Sequence, residues 1–209
     1  MLKFIRKIIR TDHLIGAMKK FFATLMYCCV VSFPSMVSAQ EQKPNVIYIL
    51  ADDLGYGDVG YNGQELIETP ELDKLAHNGM RFTNHYCGNA VCAPSRASLL
   101  MGQHPGHAYI RSNSPGYPDG QTPIPADSET LGKLMKRAGY KTACIGKWGL
   151  GGFHDKGNPN KQGFDYFYGY TDQVLAHNYY PKYLWQNGKK QFLDNGNGKQ
   201  NDYSHDLFT

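Results

Sequence analysis

Residues 45–58 read NVIYILADDLGYGD, an apolar and β-branched run followed at once by acids and glycines. A continuous apolar run of this kind is typical of a strand buried on both faces of a largely parallel sheet. Asp52 and Asp53 come directly after it, at the end of the strand where open α/β sheets place their ligands. The stretch therefore predicts an α/β fold with a pair of carboxylates at the functional edge of the sheet.

Helix and strand patterns alternate along the rest of the chain. Thr69 and Pro70 favour a helix start, and Gly79 favours its end. Further helices are predicted over 94–100 and from Asp127 or Ser128 to Gly139, strands over 80–86 and 141–146, and glycine-rich loops or a small hairpin over 149–163 and 188–203. The alternation indicates an α/β class with a mostly parallel central sheet flanked by helices.

Residues 1–39 have the pattern of an N-terminal extension and a secretory signal peptide. Lys19 and Lys20 precede an apolar run over 21–33, and the small residues Val37-Ser38-Ala39 form a cleavage site. The apolar run is too short to span a hydrocarbon core of roughly 30 Å, so no stable membrane anchor is expected, although an N-terminal anchor is the alternative. We expect cleavage after Ala39 and an exported protein, periplasmic or secreted.

The charge of the chain belongs mainly to this leader. The 209 residues include 22 Lys and Arg and 18 Asp and Glu, a formal net charge of +4. Residues 1–39 hold six basic side chains and one acid, so the remaining 170 residues, with 16 basic and 17 acidic, have a net charge of −1. The mature chain thus gives no support for a basic groove that binds nucleic acid.

Three segments carry candidate chemistry at strand ends or helix starts. The adjacent carboxylates of Asp52 and Asp53 repel one another unless a hard cation such as calcium or magnesium holds them, the alternative being a solvated acidic turn. Cys92 precedes Pro94 in the first turn of a predicted helix, whose free N–H groups favour an anion, with Arg96 one turn along. A buried structural cysteine is the alternative there.

Lys147 forms the third segment, because it directly follows an apolar strand and its ammonium can reach the same edge of the sheet. The alternative is a solvated surface lysine. The mature chain has three cysteines, at positions 87, 92 and 144, so at least one lacks an internal disulfide partner. Spacing does not decide whether Cys87 and Cys144 pair.

Three motifs resemble those of the sulfatase family. AVCAPSRASLLMG over 90–102 is similar to the sulfatase modification signature, built on Cys-x-Pro-Ser-Arg with a trailing glycine. GYKTACIGK over 139–147 resembles the second sulfatase signature, and PNVIYILADDLGYGDVG over 44–60 resembles the usual start of the mature domain. The resemblance covers nearly all of 44–209 and implies an alkaline-phosphatase-like fold that hydrolyses sulfate monoesters.

The resemblance also implies a role for each motif residue. In sulfatases a formylglycine-generating enzyme oxidises the cysteine at the position of Cys92 to Cα-formylglycine, whose hydrate attacks sulfur with one hydroxyl and expels sulfate with the other. Asp52, Asp53 and the oxygen of residue 92 would ligate a divalent cation, usually Ca²⁺, with Mg²⁺ as the alternative. Arg96 would orient the hydrate, and Lys147 would bind the sulfuryl group.

The sequence departs from the family pattern after Lys147. The second signature commonly continues Lys-Trp-His, whereas here Gly149 takes the place of the histidine. We predict that His177 supplies the missing base and contacts the substrate, a surface or packing histidine being the alternative. His104 and His107 are weaker candidates at the rim of the pocket.

The later half of a sulfatase does not occur in these residues. The Asp-Asn pair that completes the family's metal site, together with a second lysine and a second histidine, would follow Thr209. Residues 40–209 therefore correspond to the N-terminal part of a sulfatase catalytic domain, in keeping with a truncated α/β fold. We expect this chain alone to be poorly stable and to have little or no activity.

Two other functions are compatible with the motifs. One is a phosphoester or phosphonate monoester hydrolase of the same superfamily, and the other is an inactive remnant that binds sulfated glycans. The expected partners are a sulfated small molecule or glycan and, during maturation, the formylglycine-generating enzyme. The sequence leaves aryl sulfates, sulfated sugars and sulfated polysaccharides open as substrates.

Overall fold

The computed structural model describes residues 19–20, 43–116 and 120–209. Apart from Lys19 and Lys20, the predicted signal peptide and its cleavage site lie outside the described residues. Within the described part, no helix combines the length and apolar character needed to cross a bilayer. The chain divides into residues 1–50 and a compact unit over 51–209, and every numbered element below belongs to the second.

The second unit has four described α-helices, α1 (Pro70–Asn78), α2 (Cys92–Met101), α3 (Leu131–Arg137) and α4 (Ser204–Phe208). As predicted, α1 begins at Pro70, and Gly102 ends α2 in the left-handed conformation at φ 61°. The predicted cap of α3 at Asp127 or Ser128 is wrong. The hydroxyl of Thr130 accepts a hydrogen bond from the Lys133 amide at 3.2 Å, so Thr130 is the N-cap. The helix therefore begins at Leu131, later than predicted.

Six strands form two sheets in the described chain. A small antiparallel pair joins β1 (Pro115–Gly116) and β2 (Gly120–Gln121), and a four-stranded sheet has the order β3 (Ala143–Lys147), β4 (Tyr166–Tyr170), β5 (Tyr183–Gln186), β6 (Lys189–Phe192). The β3–β4 pairing is parallel, with Ala143 opposite Tyr166 and Lys147 opposite Tyr170, whereas the other two are antiparallel. The α/β class is confirmed, and the described sheet is mixed.

Two strands predicted from apolar patterns are not formed. Residues 45–51 and 80–86 contain neither helix nor strand. Their large side chains are exposed, as Ile47 at 86% and Met80 at 80% illustrate. A strand is stable only when it pairs with neighbours and buries a face, so an apolar pattern alone does not produce one.

The hydrophobic core lies between α2 and the start of the large sheet. Ala93 and Ala97 of α2 are fully buried and belong to one cluster with Trp148, Leu150 and Phe167. The Trp148 indole N–H donates to the Gly157 carbonyl at 2.8 Å, and the backbone amide of Trp148 donates to the Tyr170 carbonyl at 2.9 Å. These bonds anchor the chain at the residue that directly follows Lys147.

Candidate active site

Two facing glycines set the backbone conformation of β3 just before Lys147. Gly146 has φ +99° and lies opposite Gly169, which has φ +150°. A Cβ atom on Gly169 would lie 2.7 Å from the Gly146 carbonyl carbon, closer than real Cβ contacts come. Backbone conformation favours glycine at both positions, and close approach of the main chain requires it at Gly169. β3 thus departs from regular strand geometry one residue before Lys147.

Four predicted residues from three segments meet at the N-terminus of α2. The Cys92 sulfur lies 3.8 Å from Asp52 Oδ1, and Lys147 Nζ donates to the same sulfur at 3.3 Å. Lys147 Nζ also forms an ion pair with Asp52 Oδ2. Arg96 reaches Asp52 Oδ2 at 3.3 Å and donates through its other terminal nitrogen to the Lys147 carbonyl. A thiol, a carboxylate and two cations thus form one connected cluster.

The two cations dominate the electrostatics of this cluster. Their side chains are only 13% (Arg96) and 9% (Lys147) exposed, while that of Asp52 is 40% exposed. Burial raises the pKa of Asp52, but hydrogen bonds and charge attraction from Lys147 and Arg96 outweigh it, so the pKa lies below its ordinary value of 3.8. Asp52 is ionised at neutral pH, and the cluster is prepared to receive anionic oxygen atoms.

The helix N-terminus contributes less to anion binding than the sequence predicts. After Cys92, the Ala93 amide donates to Asn113 Oδ1 at 2.9 Å, Pro94 has no N–H, and the Ser95 amide donates to the Val91 carbonyl at 3.1 Å. The prediction of free N–H groups in this turn is thus wrong beyond Cys92 itself. Positive potential at the site comes from the side chains of Arg96 and Lys147 instead.

The second carboxylate of the predicted metal pair is exposed. Asp53 has φ 59°, in the left-handed region that Asp tolerates better than most residues. The described residues contain no group of three or more His, Cys, Asp or Glu side chains arranged to hold a metal. The carboxylates of Asp52 and Asp53 have the oxygen chemistry that calcium and magnesium prefer, but they supply only part of the six to eight ligands of calcium. The metal-binding role of Asp53 and Cys92 stays a prediction.

His177 lies in a short 3₁₀ helix, Leu175–His177, and is exposed. The turn is fixed by Asp172, whose carboxylate accepts from the Leu175 amide at 2.7 Å. His177 is not among the described residues that form a hydrogen bond or ion pair with the cluster of Cys92, Asp52, Arg96 and Lys147. Its predicted role as base stays a prediction.

Gln173 occupies the space beside Gly149, a contact that sequence reasoning missed. Gly149 has φ +74°, and a Cβ atom there would lie 2.8 Å from Gln173 Cδ. The Gln173 side chain is 3% exposed, and neither amide atom has a hydrogen-bond partner in the described chain. The glycine in place of the expected histidine was the only available signal that another side chain fills this space.

The three cysteines in the described residues, Cys87, Cys92 and Cys144, are all free thiols. Burial raises the pKa of Cys144 to about 12, which makes it a packing residue rather than a nucleophile. Cys87 is exposed, and only Cys92 contacts the cationic groups described above. Of the three described cysteines, Cys92 is therefore the one whose sulfur lies beside a lysine ammonium.

Comparison with known proteins identifies the relatives of this chain. The family model described as Sulfatase matches residues 44–209. Human arylsulfatase G is 41% identical over 140 residues, covering 67% of this chain and 26% of the relative. The chain thus spans about a quarter of the length of the curated relatives it matches, such as the 26% for human and 27% for rat arylsulfatase G.

Solved structures give the same relationship. The protein Ps i-CgsB, solved with k-i-k-neocarrahexaose, has a TM-score of 0.64 and 32% identity, covering 79% of this chain and 39% of its own. BT4656, solved with its substrate D-glucosamine-2-N,6-O-disulfate, has a TM-score of 0.61 and 31% identity, covering 79% and 29%. These neighbours have the alkaline-phosphatase-like fold, and the present chain shares part of it.

Proposed function

The chain belongs to the sulfatase family, and on that premise we propose that it carries the nucleophile, two cationic groups and part of the cation site of a sulfate monoester hydrolase. One observation supports this proposal most directly. Lys147 and Arg96, from separate segments, both reach Asp52, whose other oxygen lies 3.8 Å from the Cys92 sulfur. Burial of two cations beside a thiol has a desolvation cost, and groups of this kind are concentrated at functional sites.

Cys92 is the proposed nucleophile after its oxidation to Cα-formylglycine. The hydrated aldehyde supplies two hydroxyls on one carbon, so one attacks sulfur while the ester alcohol leaves and the other releases sulfate as the aldehyde re-forms. Lys147, whose Nζ lies 3.3 Å from the side-chain atom of residue 92, stabilises the negative charge that develops on the sulfuryl oxygens. Arg96 holds Asp52 and the Lys147 carbonyl, and so fixes both groups around the nucleophile.

Asp52 and Asp53 are the residues of this chain that would hold a divalent cation, together with the oxygen of modified Cys92. Calcium is the proposed ion and magnesium the alternative. Such a cation supplies Lewis-acid polarisation of the sulfate ester when it is bound. These residues supply only part of the six to eight oxygen ligands that calcium takes.

His177 is the proposed base and substrate contact in place of the histidine that Gly149 replaces. Its exposed position on a turn fixed by Asp172 is compatible with contact to a ligand from solvent. The matched experiment, in a full-length protein that contains these residues, compares His177→Ala with His77→Ala, an exposed histidine on α1. We expect kcat for a sulfate ester to fall at least about tenfold in the first variant only; equal turnover in the two variants would remove His177 from the mechanism.

A sulfated sugar is the proposed substrate class. Support comes from BT4656, solved with a sulfated glucosamine as its substrate, and from Ps i-CgsB, solved with a neocarrahexaose. Export to the periplasm or the outside of the cell follows from the leader pattern over 18–39, and the formylglycine-generating enzyme is the proposed maturation partner.

The decisive experiment produces the chain with and without a formylglycine-generating enzyme and analyses the peptide that contains residue 92 by mass spectrometry. We expect conversion of the Cys92 thiol to an aldehyde only when the enzyme is present. Cys87, in the same chain, is the internal control and should remain a thiol. An unmodified Cys92 in the presence of an active enzyme would contradict the proposal.

Turnover then distinguishes the sulfatase proposal from its two alternatives. Matched 4-nitrophenyl sulfate and 4-nitrophenyl phosphate are assayed with a modified full-length protein that contains these residues, with and without a calcium chelator. Preferential hydrolysis of the sulfate supports the proposal, and preference for the phosphate supports a phosphoester hydrolase. Binding of a sulfated sugar by a modified chain that hydrolyses neither ester supports a remnant that only binds glycans.

A further inference from the structure

Asn113 provides a side-chain hydrogen bond to the first turn of the helix that carries Cys92. The residue before the helix is Val91, which has no polar side chain and makes no side-chain cap. In its place Asn113 Oδ1 accepts from the Ala93 amide at 2.9 Å. Ala93 is fully buried, so without this acceptor its amide would lose a partner that water cannot readily replace.

The loop that presents Asn113 is buried at its start and is braced by hydrogen bonds within itself. Ala108 and Ile110 are each 2% exposed and bury the start of this loop. Arg111 donates through Nε to the Ala108 carbonyl at 3.3 Å and through a terminal nitrogen to the Gly106 carbonyl at 2.7 Å. Asn113 itself is exposed, and it reaches α2 from the end of this braced segment.

We propose that Asn113 is a positioning residue for residue 92. Its carboxamide oxygen fixes the first turn of α2 through Ala93, the residue adjacent to the nucleophile. Because the Ala93 amide already donates to Asn113, it is not available to a ligand. Anionic oxygen atoms would therefore bind Lys147 and Arg96 and not the helix N-terminus. The functional part of this inference rests on the proposed hydrolase activity, whereas the structural part does not.

The test compares Asn113→Ala, Asn113→Asp and Thr130→Val. Asn113→Asp retains the acceptor, and Thr130→Val removes the equivalent side-chain cap from α3, where Thr130 accepts from the Lys133 amide. The first readout is hydrogen exchange of the individual amides of Ala93 and Lys133. We expect Ala93 exchange to be about fivefold faster in Asn113→Ala, near the wild-type rate in Asn113→Asp, and unchanged in Thr130→Val, in which only Lys133 accelerates.

The second readout is turnover of 4-nitrophenyl sulfate by a modified full-length protein that contains these residues, because this chain alone is expected to have little or no activity. A positioning role lowers kcat in Asn113→Ala with KM changed less than about twofold, while Thr130→Val leaves both unchanged. Unchanged Ala93 exchange in Asn113→Ala, or equal acceleration in Thr130→Val, would overturn the inference. If Asn113→Ala does not fold, the milder Asn113→Ser takes its place with the same expectations. Absence of turnover in the modified wild type would count against the proposed function, and the exchange rates would still decide the role of Asn113.

Discussion

Lys147 forms an ion pair with Asp52 although the lysine side chain is 9% exposed and the aspartate side chain 40% exposed. The ammonium is held by the fold, whereas the carboxylate keeps access to solvent. Arg96 adds a second cation to the same carboxylate oxygen at 3.3 Å. This asymmetry means that Asp52 is the group through which the cluster responds to pH.

Asp52→Asn should lower the free energy of unfolding at neutral pH by about 1 kcal/mol, because it removes the partner of both cations. The pKa of Asp52 is below 3.8 in the folded protein. Its contribution to stability is therefore fully present above 3.8 and is lost as the pH falls through the lower folded value. Urea unfolding of wild type and variant across this range should show the two stabilities converging at acid pH.

Glu65→Gln, at an exposed surface position, is the control for this pH series. We expect it to follow the wild type throughout. A difference between Asp52→Asn and wild type that persists undiminished well below pH 3.8 would mean that the ion pairs of Asp52 are not the source of the effect.

Alkylation should separate the cysteines by their surroundings. Burial raises the pKa of Cys144 to about 12, so almost no thiolate exists there at pH 8, while Cys87 is exposed. Iodoacetamide should therefore label Cys87 and leave Cys144 unmodified in the folded chain, as peptide mass spectrometry can measure. In urea both should react at similar rates. Equal labelling of the two in the folded chain would contradict the burial of Cys144.

Gly169→Ala should destabilise the chain far more than Gly63→Ala. Both glycines have positive φ, +150° and +99°, but only at Gly169 does a Cβ atom meet backbone, that of Gly146. We expect a loss of about 1 kcal/mol for Gly63→Ala, from conformation alone. For Gly169→Ala we expect about 3 kcal/mol or more, because the paired backbones have to separate. Comparable losses in urea unfolding would show that the close approach of Gly146 and Gly169 is not real.

The helices and most of the cluster could be predicted because their signals are local. Pro70 and Gly102 mark a helix start and a helix end, and Lys147 is the last residue of its strand. The strand predicted over 45–51 is not formed. A strand depends on a neighbour to pair with, and the apolar pattern does not specify that neighbour. Asn113 and Gln173 escaped prediction because their contacts join distant segments, and a lone Asn or Gln has no diagnostic spacing.

Gln173→Met should raise the free energy of unfolding by about 1 kcal/mol. The buried amide of Gln173 has no partner in the described chain, so an apolar side chain of similar size removes a desolvation cost. Gln162→Met is the matched control. Gln162 is also fully buried, but its amide donates to the Pro125 and Lys156 carbonyls at 3.1 and 2.9 Å, and its loss should be destabilising. Urea unfolding that shows equal losses in both variants would contradict this account.

The facing glycines at 146 and 169 set the main-chain path that places Lys147, and Arg96 adds a hydrogen bond to the Lys147 carbonyl. Loops around the cluster can consequently diverge in length and chemistry without disturbing the lysine. Under the proposed function, a scaffold of this type would accommodate a new alcohol by exchange of the peripheral loops.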